Sequence, residues 1–411
     1  MGRNGSNEWK TVQLGDVIEL FDSQRVPLNS RQRQERPGQY PYYGAQGIID
    51  HIDGYIFDGR YILVAEDGEN LNSKKLPLAL FANGKFWVNN HAHILRGKPD
   101  VADDTFLLAC LNNADIKPFV TGAAQPKLSQ ANLRRIEVSL PPLPVQQRIA
   151  CILSAYDELM ENSQRRIRLL EAMARALYRE WFVHFRYPGH EKVPLVRPPS
   201  CPGGASPKPD GDIPQGWEGT FGDIALMDRE GVNPSDFPDE LFEHFSIPAF
   251  DDGRTPAVEL GETILSNKYC IDSSCVLLSK LNPRIPRIWL PEPTGTRRAI
   301  TSTEFLVLKP KTGFTREFIY AKCCSEEFVG QFTSLAIGTS TSHQRVKPEN
   351  LLAIPSTVPD RKAVEQFTKL VAPLLAMSEQ LRAKIQNLRR TRDLLLPRLL
   401  SGQVELETEA A

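Results

Sequence analysis

Two long stretches of the chain repeat apolar residues at spacings that alternate between four and three. This is the heptad pattern of a coiled coil, and it predicts long helices over residues 143–186 and 359–402. Pro144 falls in the first turn of the first helix, where its missing N–H costs nothing. Pro397 is expected to interrupt the last turn of the second helix, and Gly402 to end it.

The apolar stripe of each stretch supplies candidate helix-pairing residues. They are Ile149, Leu153, Tyr156, Ile167, Leu170 and Leu177 in the first stretch, and Phe367, Val371, Leu374, Leu381, Ile385, Leu388 and Leu395 in the second. The stripes match at a constant offset, which makes Ile149 equivalent to Phe367 and Trp181 equivalent to Leu399. Two stripes of equal length favour an antiparallel coiled coil, although each helix could instead pack only on its own globular domain.

The segments before the two helices also resemble each other. "RYILVAEDGENL" from Arg60 and "SCVLLSKLNPRI" from Ser274 both read as a buried strand followed by a polar turn. Four further pairs of segments match in the same order, and each half begins with a Trp followed by Gly-Asp. The order predicts an α+β protein with a pseudo-two-fold internal repeat, in which two similar globular domains are separated and joined by the two helices.

The repeat gives a domain plan for the whole chain. The two globular domains are expected at residues 1–142 and 213–358. The helices take residues 143–186 and 359–402, and residues 403–411 are a tail. Residues 187–212 are rich in Pro, Gly and Ser, which is typical of a surface linker.

Composition narrows the possible classes of protein. The chain is 41% hydrophobic, has no apolar run of the ~20 residues that span a bilayer, and shows no secretion signal. Its seven cysteines are scattered and none forms a CxxC pair, so we expect reduced thiols and a cytoplasmic location. The formal net charge is −1, so any contact with nucleic acid must use local basic clusters.

The motifs around the helices resemble a known family. The first helix is entered by "LPPLPVQQRIACIL" and left by "EWFVHFRYPG", and the chain closes on "LPRLLSG". Together with the tandem repeat, these motifs resemble the specificity subunits of type I DNA restriction–modification systems over nearly the whole chain. The entry to the second helix, "IPSTVPDRKAVEQF", departs from the Leu-Pro-Pro-Leu-Pro form of the family, as does Gln146, where the family often has Glu.

The resemblance implies a non-catalytic DNA-binding subunit. In that family each target-recognition domain reads one half of a bipartite sequence in double-stranded DNA, and the helices set the spacer. The helices dock two methyltransferase (modification) subunits, which methylate adenine, and restriction/translocase subunits join the full complex. No cofactor, no metal and no membrane partner is expected for the chain itself. Two alternatives remain: a specificity module for another methyltransferase or nuclease partner, and a coiled-coil scaffold without DNA binding.

A search for catalytic motifs agrees with the non-catalytic expectation. The sequence contains no GxGxxG and no GxxxxGK[ST], and its nearest approach to a methyltransferase motif is "NPRI" at Asn282. His91 and His93 carry metal-ligand chemistry, but they stand in a strand-like run without Cys or acidic neighbours. A role in packing against or bonding the adjacent loop is therefore expected for them.

Basic and amide side chains in polar loops are the candidate DNA contacts. They are Arg31, Arg33, Arg36, Lys74, Lys75, Gln125 and Lys127 in the first domain, and Arg284, Arg287, His343, Gln344 and Arg345 in the second. Gln can bond adenine with both its polar atoms, and Arg can do the same with guanine. Both copies place a Gln and a cation in the same loop, which favours the pairs Gln125/Lys127 and Gln344/Arg345 as base-reading residues.

Overall fold

The structure, a computed structural model of the chain, describes residues 9–122, 125–197, 211–337, 344–404 and 406. The chain divides into two compact units. Met1–Met160 and Asn387–Ala411 form the first unit, and Glu161–Gln386 forms the second. Each unit therefore holds one globular part together with a portion of both long helices.

A six-stranded sheet forms the centre of the first unit. Its strands lie in the order Ile18–Leu20, Ala92–Gly97, Phe57–Ala65, Ala79–Val88, Pro37–Gly44 and Gly47–Ile52. The pairing of Pro37–Gly44 with Ala79–Val88 is parallel, and the other pairings are antiparallel. A separate ladder pairs Lys10–Gln13 with Glu137–Leu140.

Short helices surround this sheet. They are Leu14–Val17, Ser30–Gln34, Asn70–Ser73, Asp104–Asn113 and Gln130–Arg135, with 3-10 turns at Asp22–Gln24 and Lys117–Phe119. Asp103 caps the helix Asp104–Asn113, because its carboxylate accepts hydrogen bonds from the backbone N–H groups of Thr105 and Phe106. One apolar core contains Ile62 of the sheet together with Leu14, Leu107 and Leu133, which belong to three of these helices.

The second unit contains two larger sheets. One orders Gly231–Val232, Lys268–Cys270, Arg298–Ser302, Leu241–Phe245 and Ala257–Leu260, and the other orders Ala225–Asp228, Phe305–Pro310, Val276–Ser279 and Ile288–Trp289. Two-stranded ladders pair Leu195–Val196 with Ile213–Pro214, Glu218–Thr220 with Pro355–Thr357, and Ala336–Ile337 with Arg345–Val346. The short helices are Phe221–Ile224, Ile247–Asp251, Arg316–Cys323, Glu326–Ser334 and Pro348–Leu352, with 3-10 turns at His190–Lys192, Pro234–Asp236 and Gly261–Thr263.

The same antiparallel four-strand arrangement occurs in both units. The run from Ile18–Leu20 to Ala79–Val88 in the first unit has the chain order first, fourth, second, third, and the four-stranded sheet of the second unit repeats it. The small ladders repeat too, since Leu14 N donates to Ile136 O and Phe221 N donates to Ile354 O, both at 2.8 Å. The internal repeat predicted from the sequence is thus present in the fold.

The first long helix is Leu143–Tyr178 and continues as a π-helical turn at Arg179–Val183, and the second is Arg361–Leu400. Pro397 does not interrupt the second helix, contrary to expectation. A proline removes only its own donor, and in the last turn few bonds follow it. Gly402 takes a left-handed φ of 73° just past the helix, as the sequence predicts.

The segment expected to be a linker is partly folded. Leu195–Val196 and Ile213–Pro214 form an antiparallel ladder at its two sides, and Tyr187 stacks on Trp217 at 4.8 Å. The sequence pattern does not predict this ladder, because a two-residue strand is too short to show a periodicity. The intervening residues 198–210 lie outside the described residues. Within the described residues, no helix combines the length and apolar character needed to cross a membrane.

Candidate nucleic-acid interface

A loop over residues 125–128 of the first unit is bonded to the exit of a central strand. Leu128 N donates to Glu66 O at 2.8 Å, and Gly68 N donates to Pro126 O at 3.1 Å. These two bonds fix the loop beside the turn that follows the strand.

The second unit repeats this construction. Val346 N donates to Lys280 O at 3.1 Å, and Asn282 N donates to Gln344 O at 2.8 Å. Asn282 has a φ of 50° and Gly68 a φ of 109°, so both turns need a residue that tolerates positive φ. The two loops are therefore structural equivalents.

The backbone bonds set the correspondence residue by residue. Lys127 stands where Arg345 stands in the second unit, and Pro126 stands where Gln344 stands. Gln125 and Gln344, the glutamines of the two loops, are therefore not at equivalent positions. A sequence comparison could not find this, because the loops share few residue types and only the bonds fix their register. The counterpart of Gln125 lies outside the described residues.

Each of the two equivalent cations forms an ion pair with a carboxylate. Lys127 Nζ lies 3.2 Å from Glu66 Oε1, and Arg345 binds Glu304 through Nε at 3.0 Å and Nη2 at 3.2 Å. The side chains of the cations are 55% and 51% exposed, whereas those of the acids are 12% and 25% exposed. Each pair thus presents its positive end to solvent.

The two acids come from different positions of the shared fold. Glu66 N donates to His91 O and Lys280 N donates to Glu304 O, both at 2.9 Å. Glu304 therefore occupies the position of His91, and Lys280 occupies the position of Glu66. The acid therefore lies next to a different strand in each unit, but in both units it contacts the cation of the loop.

A mostly buried polar cluster is hydrogen-bonded to the first loop. His93 is 1% exposed, and its Nδ1 lies 2.6 Å from Asp22 Oδ2 while its Nε2 lies 2.8 Å from Leu128 O. Both partners are acceptors, so both bonds form together only when the ring carries two protons. The expected bonding of this histidine to the adjacent loop is confirmed.

Asp22, Glu66 and His93 also have the spacing of a possible metal site, since their ligand atoms lie within 4.8 Å of one another. Both ring nitrogens already face oxygen acceptors, and the Arg25 guanidinium lies 2.8 Å from Glu66 and 3.5 Å from Asp22. A cation in that position would compete with a metal ion. The arrangement fits a hydrogen-bonded support for the loop better than a metal centre.

Charge within this cluster keeps its acids ionised. Burial alone would raise the pKa of Glu66, but bonds from Arg25 and Lys127 and the charge of His93 lower it below its ordinary value. The pKa of Asp22 is also lowered. Burial raises it, but the hydrogen bond and charge of His93, together with a bond from the backbone of Ile94 and the charge of Arg25, outweigh burial. Both carboxylates are negative at neutral pH and hold their cationic partners by charge-assisted bonds.

The short helix Ser30–Gln34 and the residues just after it carry the first predicted arginines. Arg31, Arg33 and Arg36 each bind a nearby carboxylate. The side chain of Arg33 is only 16% exposed and lies 3.0 Å from Asp50. Arg36 also lies over the ring of Trp87 at 5.1 Å. Arg31 and Arg36 are thus the more accessible of the three.

Lys74 and Lys75 follow the short helix Asn70–Ser73. They line a cavity of about 540 Å³ that also involves Leu153 and Arg392 of the long helices. Lys74 Nζ donates to a backbone carbonyl at 2.7 Å. The structure therefore does not bring these lysines into the loop that carries Lys127.

The predicted residues of the second unit differ in their exposure to solvent. Arg284 is exposed in the turn beside the Arg345 loop, whereas Arg287 is 13% exposed and binds Asp251 with both Nε and Nη2. Gln344 has a buried Oε1 without a hydrogen-bond partner among the described residues. His343 lies outside the described residues.

Sequence reasoning missed the acids Glu66 and Glu304. Each follows or precedes an apolar strand, and a carboxylate in such a place looks like an ordinary solvated turn residue. Their partners are 61 and 41 residues away. Only the fold shows that these acids meet the loop cations.

The long helices contact each other within the first unit. Val145, Ile149 and Leu153 share a buried cluster with Leu399 and Leu400, and Arg392 Nη1 lies 2.6 Å from Asp157 Oδ1. Early residues of one helix thus meet late residues of the other, which is an antiparallel arrangement.

The second unit shows the same direction of pairing. Trp181 lies 6.0 Å from Phe367 between ring centroids, and Arg382 Nη2 lies 2.5 Å from Glu171 Oε1. Among the predicted pairing residues, Ile149, Leu153, Ile167, Phe367, Val371, Leu381 and Ile385 are buried, and Tyr156, Leu170, Leu177, Leu374, Leu388 and Leu395 are half-buried. The predicted stripes thus lie on the covered faces of both helices.

Comparison with known proteins points to one family. Residues 6–172 match the family model described as the type I restriction modification DNA specificity domain. A putative type I restriction enzyme specificity subunit of Haemophilus influenzae is 39% identical over 153 residues, which cover 37% of this chain and 38% of that protein. The type I restriction enzyme MjaIX specificity subunit of Methanocaldococcus jannaschii is 23% identical over 310 residues, which cover 71% of this chain and 66% of that protein. The matched region thus spans less than two thirds of either relative.

A solved structure resembles the chain along nearly its whole length. The crystal structure of the type I restriction–modification S subunit of M. genitalium aligns with a TM-score of 0.62 at 15% identity, covering 97% of this chain and 98% of that one. At this identity the likeness concerns the fold. It extends the similarity from the matched first half to the second unit.

Proposed function

We propose that this chain is a specificity subunit of a type I restriction–modification system and that it reads a bipartite DNA sequence. Each globular domain would bind one half-site in double-stranded DNA, at 1–142 for the first domain and 213–358 for the second. The paired helices, over 143–186 and 359–402, would set the spacer between the half-sites. The chain itself would carry no catalytic group.

The observation that carries this proposal is the equivalent loop in the two units. Each loop presents one exposed cation, Lys127 or Arg345, at the same structural position. A protein that reads two half-sites needs two such surfaces, whereas a scaffold has no need to repeat a charged loop. Arg and Lys at a base edge read guanine, and each good base contact contributes about 1–3 kcal/mol of discrimination.

The accessible members of the predicted set are proposed to make the DNA contacts. They are Arg31, Arg36, Lys74, Lys75, Gln125 and Lys127 in the first domain, and Arg284 and Arg345 in the second. The same role is proposed for Gln344, which is half-buried, and for His343, which lies outside the described residues. Arg33 and Arg287 are mostly buried in ion pairs, so we propose that they support this surface instead.

Methyltransferase subunits are the proposed partners of the helices. Leu169 and Met173 lie one turn apart on the first helix, and Leu370 lies on the second, and each is more than half exposed. Exposed apolar side chains at helical spacing are typical of a surface that another protein covers. Restriction/translocase subunits would join the same assembly.

Co-expression with the adenine methyltransferase subunits would test the proposal. Methylated adenines mapped in the host DNA should define two half-sites separated by a spacer of fixed length. A duplex with that sequence should bind the complex, and one extra base pair in the spacer should abolish specific binding. The affinity should fall steeply with salt concentration, because phosphate contacts release counterions.

Two results would reject this function. A single contiguous motif would contradict the bipartite reading. Binding that is independent of both sequence and salt would favour the scaffold alternative.

A further inference from the structure

The ion pairs Glu66–Lys127 and Glu304–Arg345 stand at the loops proposed to read DNA. Their place is unexpected, because a carboxylate beside a DNA-reading cation repels the phosphates. Partly exposed ion pairs also contribute little to stability, with a median of about 0–1 kcal/mol. Affinity for the DNA backbone does not explain why an acid is paired with each loop cation, and the stability gained from the pairing with that cation is too small to explain it.

The repeat strengthens the case that the acids have a role. Glu66 belongs to the turn after one strand, and Glu304 belongs to the position equivalent to His91 on the neighbouring strand. The two copies thus place an acid against the same loop position from two different strands. A shared requirement for an anion at this point accounts for the arrangement better than inheritance of one residue by both copies.

Burial shows how each acid acts on its cation. The side chains of Glu66 and Glu304 are 12% and 25% exposed, and those of Lys127 and Arg345 are about half exposed. Arg345 is held through two nitrogens, which fixes the plane of its guanidinium. Glu66 is itself fixed by Arg25 at 2.8 Å. The acids are anchored, and the cations are the ends that reach outward.

We propose that Glu66 and Glu304 are positioning residues for DNA recognition. Each holds the cation of its loop in one orientation, so that the cation reaches a base edge and does not move to the nearest phosphate. A preoriented side chain loses less freedom on binding, which favours the matching base over others. The inference rests on the proposed function and goes beyond it, since neither acid is expected to touch DNA.

Glu304→Gln in the assembled complex gives the decisive measurement, because two explanations predict different changes in the preference for the correct half-site. Positioning predicts that the preference for the correct second half-site over a one-base change falls about 5- to 100-fold. Binding to unrelated DNA should stay constant or strengthen. If the acid acts only by its charge, its removal should strengthen binding to all duplexes and leave the preference unchanged, which would overturn the proposal.

A double-mutant cycle tests whether Glu304 acts through Arg345. Glu304→Gln should have no further effect on discrimination in the Arg345→Ala background. Independent, additive effects of the two substitutions would refute positioning. Glu218→Gln is the matched control, since Glu218 is an exposed acid of the same unit without an ion pair among the described residues.

The first unit supplies an independent arm. Glu66→Gln should relax only the first half-site and leave discrimination at the second unchanged. Thermal melting of each variant checks that it folds. If Glu66→Gln does not fold, Lys127→Met replaces it as the variant that tests the first unit. If the unmodified complex recognises no bipartite site, the proposed function fails. If it does, and Glu304→Gln discriminates as well as the unmodified protein, only the positioning role fails.

Discussion

Lys322 is a charged residue in an apolar place. It lies on the helix Arg316–Cys323 and is 6% exposed, and its ammonium group makes no hydrogen bond or ion pair among the described residues. With Tyr178 and Thr357 it lines a small cavity of about 60 Å³. Burial lowers the pKa of its ammonium to about 8. The folded state therefore disfavours the charged form of this side chain.

We predict that Lys322→Met stabilises the protein at pH 7. The unfolded chain keeps its proton up to about pH 10.5, whereas the folded chain loses it near pH 8. Between these values the unfolded state binds more protons, so the free energy of unfolding rises with pH. The substitution should remove this rise and gain on the order of 1–3 kcal/mol at neutral pH.

Chemical denaturation at pH 7 and at pH 9.5 measures both effects. Lys309→Met is the control, because Lys309 lies 2.7 Å from Asp228 and 3.1 Å from Asp272 and its pKa is raised. That variant should not be stabilised. Equal stability of Lys322→Met and the unmodified protein at pH 7 would contradict the account of Lys322.

At the scale of elements, the long helices are held by aromatic packing in the second unit. Phe367 is fully buried and contacts the rings of Tyr178, Trp181 and Phe182 on the first helix and its π-helical turn. It also contacts Phe318 of the globular part. One side chain thus ties both helices to the domain, so the two alternatives of helix pairing and helix–domain packing both occur.

Phe367→Ala should destabilise the protein by about 3–5 kcal/mol, since it removes a large buried ring and leaves a cavity. Leu370→Ala, on the exposed side of the same helix, should change stability by no more than about 0.5 kcal/mol. Urea denaturation followed by circular dichroism measures both. A small effect of Phe367→Ala would mean that the helix contact contributes little.

The exposed face of the first helix carries a separate prediction. Met173→Glu should prevent co-purification of the methyltransferase subunits, because it places a charge in the proposed apolar contact. Thermal stability of the chain alone should be unchanged, since Met173 is 56% exposed. Arg168→Glu, a charge change at an exposed position of the same helix, is the control. Unchanged capture of the methyltransferase by Met173→Glu would place its docking surface elsewhere.

At the scale of the whole molecule, the repeat predicts independent recognition of two half-sites. Lys127→Ala should relax discrimination at the first half-site only, and Arg345→Ala at the second only, each by about 1–3 kcal/mol. Binding assays on duplexes with changes in one half-site measure this. If either variant weakened binding to all DNA equally and lowered the salt dependence by about one ion, its side chain would be a phosphate contact.

Elements whose signals are local can be predicted from the sequence alone. The helix start at Leu143, the stripes from Ile149 and Phe367, and the order of repeated segments all follow from periodicity. Heptad spacing decides which face of a helix is covered wherever its partner lies. The family resemblance rested on the same local motifs.

Tertiary structure decided which of these parts meet. Repeat position relates Trp181 to Leu399, but antiparallel packing sets it against Phe367. Loop register, which relates Lys127 to Arg345, depends on backbone bonds between segments far apart in the chain. The roles of Glu66 and Glu304 depend on the same distant contacts. Periodicity records how one element faces its surroundings, and only the folded chain fixes which charges end up within bonding distance.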